Sequence, residues 1–255
     1  GRDSVGSGES SSAQIRIEPE LGGFTSYTEG GTSTDWIRIT DREDPRSRYQ
    51  LINEFYIQTT EATQHFYEDL VKENPSYYSE CGLDCPVENI SWYDAVHAAH
   101  LLSLKEGLES CYECSYTDEN LLSSMTSCQE KEEYEAELIY TCPGYRLPTR
   151  AEWELAARSG TVEHAWTING GGSNSIHHTF HCVSEATYSD GSLIADYVWN
   201  YCKAQEDDDW STHPVAQLLP NAYGLFDMAG HVWEWTEDDY GDLLTHGQTQ
   251  TTPPY

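Results

Sequence analysis

The residues with the clearest capacity for chemistry lie in one stretch, Asn221 to Trp235, which reads NAYGLFDMAGHVWEW. Asp227 and Glu234 bracket a turn punctuated by Gly224 and Gly230. Closely spaced acids on a turn, together with turn carbonyls, are the oxygen donors a hard cation such as calcium takes. Neither a His nitrogen nor a thiolate belongs to this oxygen donor set, which argues against zinc. Val232, Trp233 and Trp235 are strand-type residues, so Trp233 and Trp235 share one face and Glu234 points the other way. Two readings follow. In one, the tryptophans pack into the core and fix Glu234 as a ligand. In the other, this is a core strand whose Glu is merely solvated or bonded to amides or a nearby Arg.

The elements that must position this stretch are short. Trp36–Thr40 alternates as a strand, and Tyr49–Gln58 reads as a second. Thr60 is a candidate cap for a helix running to Lys72, ended by Asn74-Pro75-Ser76. Ser91 and Asp94 have capping-box spacing at the head of a helix whose apolar stripe is Trp92, Ala95, Val96, Ala99, Leu102 and Leu104, stopped by Gly107. Thr149 and Glu152 open a third helix that ends at Gly160. Residues 108–143 are poor in apolar residues and strongly acidic over Glu130 to Glu137; they read as a surface excursion held by disulfides. Arg146 and Arg158 stand out as bases in an acidic chain and read as partners of buried acids.

The charge count is 13 basic against 44 acidic, a net of −31 over 255 residues. Phosphate binding needs a basic surface, so nucleic acid is excluded as an expected partner, and anionic membranes are disfavoured. No apolar run is long enough to insert in a bilayer. Twelve per cent aromatic residues favour a globule pinned by aromatic packing over a disordered acidic chain. The eight cysteines read as disulfides and hence as an oxidising compartment, whether extracellular, cell-surface or periplasmic. The expected bridges are Cys81–Cys85, Cys182–Cys202, and two among Cys111, Cys114, Cys128 and Cys142. Gly1 reads as a mature or trimmed start, compatible with a removed export signal.

Lesser metal candidates are His97 with His100 on the second helix, the group His177, His178, His181 and Cys182, and the run Glu206–Asp209. Packing explains the first pair, a Cys182–Cys202 bridge removes a ligand from the second, and a solvated turn accounts for the third.

Four ordered segments carry a family resemblance: Phe55–Thr63, Pro86–Val96, Gly144–Arg158 and Asn221–Trp235. Together they resemble the sulfatase-modifying-factor family, the formylglycine-generating-enzyme-like domains. The resemblance implies a loop-rich, disulfide-stapled α+β fold, a variant of the C-type lectin fold. It implies one domain over residues 41–240, with the Cys-rich insertion at 108–143, residues 1–40 as a loop-rich part of the same domain, and 241–255 as a tail. Calcium-bound relatives use the positions matching Asp227, Gly230, Val232 and Glu234, the middle two through carbonyls. His231 stands where the family usually has Asn, and Arg150 where it usually has Glu. Catalytic members hold copper on a cysteine pair downstream of the Trp-Glu-Trp segment. None of the eight cysteines lies beyond Cys202, so no catalytic residue is assigned, and copper is expected only if that segment lies outside this chain. The expectation is a non-catalytic, calcium-stabilised extracellular module binding a protein or glycan ligand, or neighbouring subunits of a surface assembly. A formylglycine-generating or related oxidase is the alternative. The fold is shared with ligand-display proteins, among them variable proteins of diversity-generating retroelements.

Overall fold

The computed structural model describes residues 36–118, 124–160, 193–199 and 210–238. Their regular elements are few: strand β1 (Trp36–Ile39), strand β2 (Phe55–Gln58), helix α1 (Gln64–Val71), helix α2 (Trp92–Lys105), strands β3 (Tyr112–Tyr116) and β4 (Met125–Glu130), and helix α3 (Arg150–Arg158). β1 and β2 pair antiparallel with Ile37 opposite Ile57, and β3 and β4 pair antiparallel with Cys114 opposite Cys128. The α+β, loop-rich, disulfide-stapled character expected from the sequence is present.

Two of the three helix starts follow their local chemistry. The Ser91–Asp94 and Thr149–Glu152 capping boxes are both formed, each satisfying amides that the first helical turn leaves without partners. α1 starts later than expected. Thr63, not Thr60, caps it by accepting the Phe66 amide at 3.1 Å. Residues 62 and 63 are held extended by Val87 N–H to Ala62 O at 2.8 Å and by a bridge between Thr63 and Pro86. Leu104, placed in the apolar stripe of α2, is exposed.

Three buried clusters form the core. β2, α3 and the turn after Asn221 meet through Phe55, Leu155, Leu225 and Met228. α1 and α2 meet through Phe66, Leu70, Ala98 and Leu102. The third cluster corrects the reading of residues 108–143 as a surface excursion. Cys111, Tyr112, Cys128 and Ile139 are essentially inaccessible and pack on Val96 of α2. Tyrosine and cystine supply the apolar area that the aliphatic count did not promise. The bridges are Cys81–Cys85, Cys111–Cys142 and Cys114–Cys128. Cys182 and Cys202 lie outside the described residues.

α3 is tied down by buried ion pairs. Glu154 Oε1 accepts Arg48 Nη2 at 2.5 Å and Arg158 Nε at 2.7 Å, and Arg48 also donates to both oxygens of Asp44. Arg146 donates two 2.7 Å hydrogen bonds to the two oxygens of Glu152. Arg146 and Arg158 therefore have the expected acid partners. Among the described residues, no helix is long and apolar enough to cross a membrane.

Candidate functional site

The turn that begins at Asn221 is fastened to α3. Asn221 Nδ2 donates to Ala156 O at 2.9 Å, while its Oδ1 accepts the amides of Tyr223 and Leu225 at 2.9 and 3.0 Å. Phe226 N–H then donates to Thr59 O at 2.8 Å, bringing the turn beside the segment that carries Glu61. Asp227, Gly230 and His231 all take positive φ, at 56°, 92° and 62°. Gly230 is the position where this is obligatory. A Cβ there would lie 1.8 Å from Trp199 O, and the same carbonyl accepts the His231 amide at 3.0 Å.

The folded turn gathers Glu61, Asp227 and His231, whose donor atoms all lie within 4.8 Å of one another. Glu61 is buried: its Oε2 faces His231 Nδ1 at 2.7 Å and its Oε1 accepts the Val232 amide at 3.3 Å. The His213 amide reaches His231 Nε2 at 3.1 Å. An amide only donates, so Nε2 must accept, and the ring proton sits on Nδ1 and is donated to Glu61. His231 thus orients Glu61 and has no nitrogen left to ligate a metal. The His213 ring stacks on Trp199 at 4.0 Å, which braces this arrangement.

The electrostatics are those of a site short of positive charge. Burial raises the carboxyl of Glu61, and the neighbouring Asp227 raises it further. Burial also raises Asp227, against the Ala216 amide that holds its Oδ2 at 2.7 Å. Asp227 Oδ1 is buried without a hydrogen bond of its own, although Trp199 is near enough to temper its charge. Glu234 is open to a cavity, yet the surrounding walls strip enough bulk water from its carboxyl to push it up to about 8; the Glu61 carboxylate adds to this. Its Oε2 accepts the Trp153 indole N–H from α3 at 3.1 Å. Burial lowers His231, consistent with a neutral ring.

The four positions read from the sequence fare differently. Asp227 and Glu234 are electrostatically coupled through the same cluster, and Gly230 and Val232 shape its backbone. Glu61 was missed. It lies 170 residues from His231, although it falls inside a segment that carries the resemblance. The packing expected of the tryptophans does not occur. Residues 232–236 form no strand, Trp233 is fully exposed and Trp235 is 47% exposed. Glu234 is held by Trp153, not by a buried Trp pair. Trp235 Nε1 donates to Ile90 O and Trp92 Nε1 to Thr236 O, both at 3.0 Å, so the segment is stitched to the start of α2 from outside. Beyond it the chain re-enters the core: Glu237 accepts the Tyr112 hydroxyl at 2.6 Å and Asp238 the Arg150 amide at 2.7 Å.

Of the lesser candidates, His97 bonds the Tyr116 hydroxyl and His100 bonds Ser110 and the Tyr112 carbonyl, which is packing. His177, His178, His181, Cys182 and Glu206–Asp209 lie outside the described residues. Beside the acidic cluster opens a cavity of about 940 Å³, walled by the first strand pair, α2, the Tyr140–Pro148 segment and the turn, with Trp210, Trp233 and Trp235 on it.

A loop-rich α+β scaffold with this turn defines a formylglycine-generating-enzyme-like domain. The sulfatase-modifying factor enzyme 1-like domain model matches residues 13–252, and the chain belongs to that family. It is 31% identical over 184 residues to the chaperone protein LppX of Paenibacillus barcinonensis, covering 72% of this chain and 62% of that protein. It is 32% identical over 118 residues to the formylglycine-generating enzyme of Streptomyces coelicolor, covering 44% of this chain and 32% of the enzyme. The chain thus spans about three fifths and about a third of these relatives. Among solved structures it is similar to Treponema denticola variable protein 1, at TM-score 0.60 and 25% identity, over 90% of this chain and 82% of that one. It is also similar to CarF, at TM-score 0.51 and 25% identity, over 82% of each chain.

Proposed function

We propose that this chain is a non-catalytic binding module of an exported protein, with a variant C-type lectin fold stabilised by calcium at the Asp227 turn. The observation that carries the calcium reading is the gathering of Glu61 and Asp227 at one turn, with Glu234 in their field and no Lys or Arg among the hydrogen-bond partners of the three in the described residues. Three acids raised by loss of solvent, Glu61 and Glu234 also by neighbouring carboxylates, fit a hard divalent cation. Asp227 Oδ1 offers it a buried oxygen, and His231 offers no nitrogen. Asp227 and Glu234 would hold the ion, with the Gly230 and Val232 carbonyls as the remaining expected donors and Glu61 tuning the field. The cation supplies charge compensation and fixes the turn. A thermal-unfolding titration of calcium into chelator-treated protein tests this, since a ligand of the native state raises the melting temperature. Wild type should gain stability and Asp227→Ala should not; equal responses in both would remove the site from this turn.

The binding role rests on the cavity with its aromatic rim. A relative named as a chaperone supports a protein ligand, and the likeness to a variable protein supports ligand display on this fold. Every cysteine in the described residues is in a disulfide, the pairing expected of an oxidising compartment. Incubation with copper, oxygen and a sulfatase-motif peptide should give no aldehyde. Sustained turnover would favour the oxidase reading that the formylglycine-generating relatives represent.

A further inference from the structure

The cavity beside the acidic cluster has the volume of a small-ligand site, about 940 Å³, and several aromatic side chains in its walls. Trp233 is fully exposed, Trp210 53% exposed and Trp235 47% exposed, all on this one concavity. Three open indoles in one place form an unusual apolar patch, suited to stacking against a ligand.

Charge selects what can stack there. Glu54, Glu61, Glu88, Glu152 and Glu234 line the same cavity, and Arg146 is the guanidinium that faces them. Arg146 donates from both terminal nitrogens to Glu152, whose carboxylate offsets its charge. Glu88 gives one oxygen to the Tyr78 amide at 2.7 Å, and its second oxygen has no hydrogen bond among the described residues. A chain of net charge −31 further concentrates cations in such a cleft. A neutral ligand would leave the carboxylates unused, and a hydrated metal ion would leave the rings unused. A cation on a carbon stem engages both, because the ring faces attract its charge and the stem fills the apolar wall.

We propose that this cavity binds an organic cation, an alkylammonium or a guanidinium, presented either by a free amine or by a basic side chain of a protein partner. This rests on the binding-module reading and names its ligand class. The test follows tryptophan fluorescence of the calcium-loaded protein at fixed ionic strength. The probes are choline, its uncharged isostere 3,3-dimethylbutan-1-ol, a short lysine- and arginine-rich peptide, and the same peptide with glutamates. A cationic probe should bind about tenfold tighter than its uncharged or acidic counterpart. Trp233→Ala should weaken that binding about fivefold or more without moving the melting temperature, since the ring is fully exposed. Glu88→Gln should weaken the cation and leave the alcohol unchanged. A choline response identifies a free small alkylammonium as a source, and a response to the basic peptide alone identifies the partner side chain. Equal affinity for charged and uncharged probes overturns the proposal but leaves the binding module standing. No response to any probe, or indifference to Trp233→Ala, also overturns it. The aldehyde assay on the same samples tests the module reading independently.

Discussion

Replacing Gly230 by alanine probes the backbone crossing on which the whole acidic turn depends. The residue has φ +92°, and an added Cβ would meet Trp199 O at 1.8 Å, Trp199 C at 2.8 Å and Val198 Cγ1 at 3.3 Å. The first distance lies more than about 1 Å inside van der Waals contact, and the obstacle is backbone, which cannot rotate away. Three contributions add. Left-handed backbone costs an L-residue about 1–2 kcal/mol. Separating the two segments breaks the His231 N–H to Trp199 O bond, worth about 1 kcal/mol. Overpacking against a fixed neighbour costs about 1–3 kcal/mol. The sum is about 3–6 kcal/mol, or roughly 6–24 °C for a domain of this size. Gly107→Ala is the control: φ is +71°, but nothing lies within 4 Å of its Cβ, so only the backbone contribution of about 1–2 kcal/mol applies. Thermal unfolding followed by circular dichroism, with and without calcium, reads both effects. Gly230→Ala should fall well below Gly107→Ala and lose its calcium response. If the two variants melt together and both respond fully to calcium, the close crossing of residues 199 and 230 is refuted.

Other perturbations have equally definite outcomes. Glu154→Ala removes the carboxylate shared by the buried Arg48 and Arg158 guanidiniums; denaturant unfolding should show a loss of about 3–5 kcal/mol, and a loss under about 1 would mean the pairs are dispensable. Cys111→Ser with Cys142→Ser opens a loop of sequence separation 31, for which chain entropy gives a loss of about 3–4 kcal/mol; a calorimetric shift no larger than that of an exposed-site variant would contradict it. Asp238 is raised to about 6, by burial first and then by the Glu152 carboxylate, against the Arg150 amide. Its folded pKa exceeds its unfolded one, so its contribution is full below the ordinary value of 3.8 and is lost as pH rises through 6. Wild type should therefore lose stability relative to Asp238→Asn between about pH 4 and 6, and parallel curves would show that Asp238 does not titrate there.

What could be read in the sequence was local. The Ser91–Asp94 and Thr149–Glu152 boxes are contacts within one helical turn, so their residue types and spacing are enough to place α2 and α3. Cys81 and Cys85 are four residues apart and pair as expected. The resemblance carried the family because its four segments hold the turn and helix chemistry in order. Thr60 and Thr63 show where local logic stops. Both are competent caps, and the choice went to Thr63 because Pro86 and Val87 hold residues 62 and 63 extended from across the chain. Likewise, four cysteines in one insertion admit three pairings, and only the β3–β4 register, by setting Cys114 opposite Cys128, leaves Cys111 for Cys142.

The site divides in the same way. Sequence spacing placed Asp227, Gly230, Val232 and Glu234 on one turn. Only tertiary structure brought Glu61 to His231 and set the His213 amide against the imidazole, which decides that this histidine orients an acid and does not ligate. A side chain's protonation and partners depend on what the fold lays against it, and neighbours in sequence do not report that. Alternation put Trp233 and Trp235 on one face. It had no means of saying whether that face meets a core or a cavity mouth, because period two fixes only the relative direction of side chains and the surrounding chain decides what each direction contains.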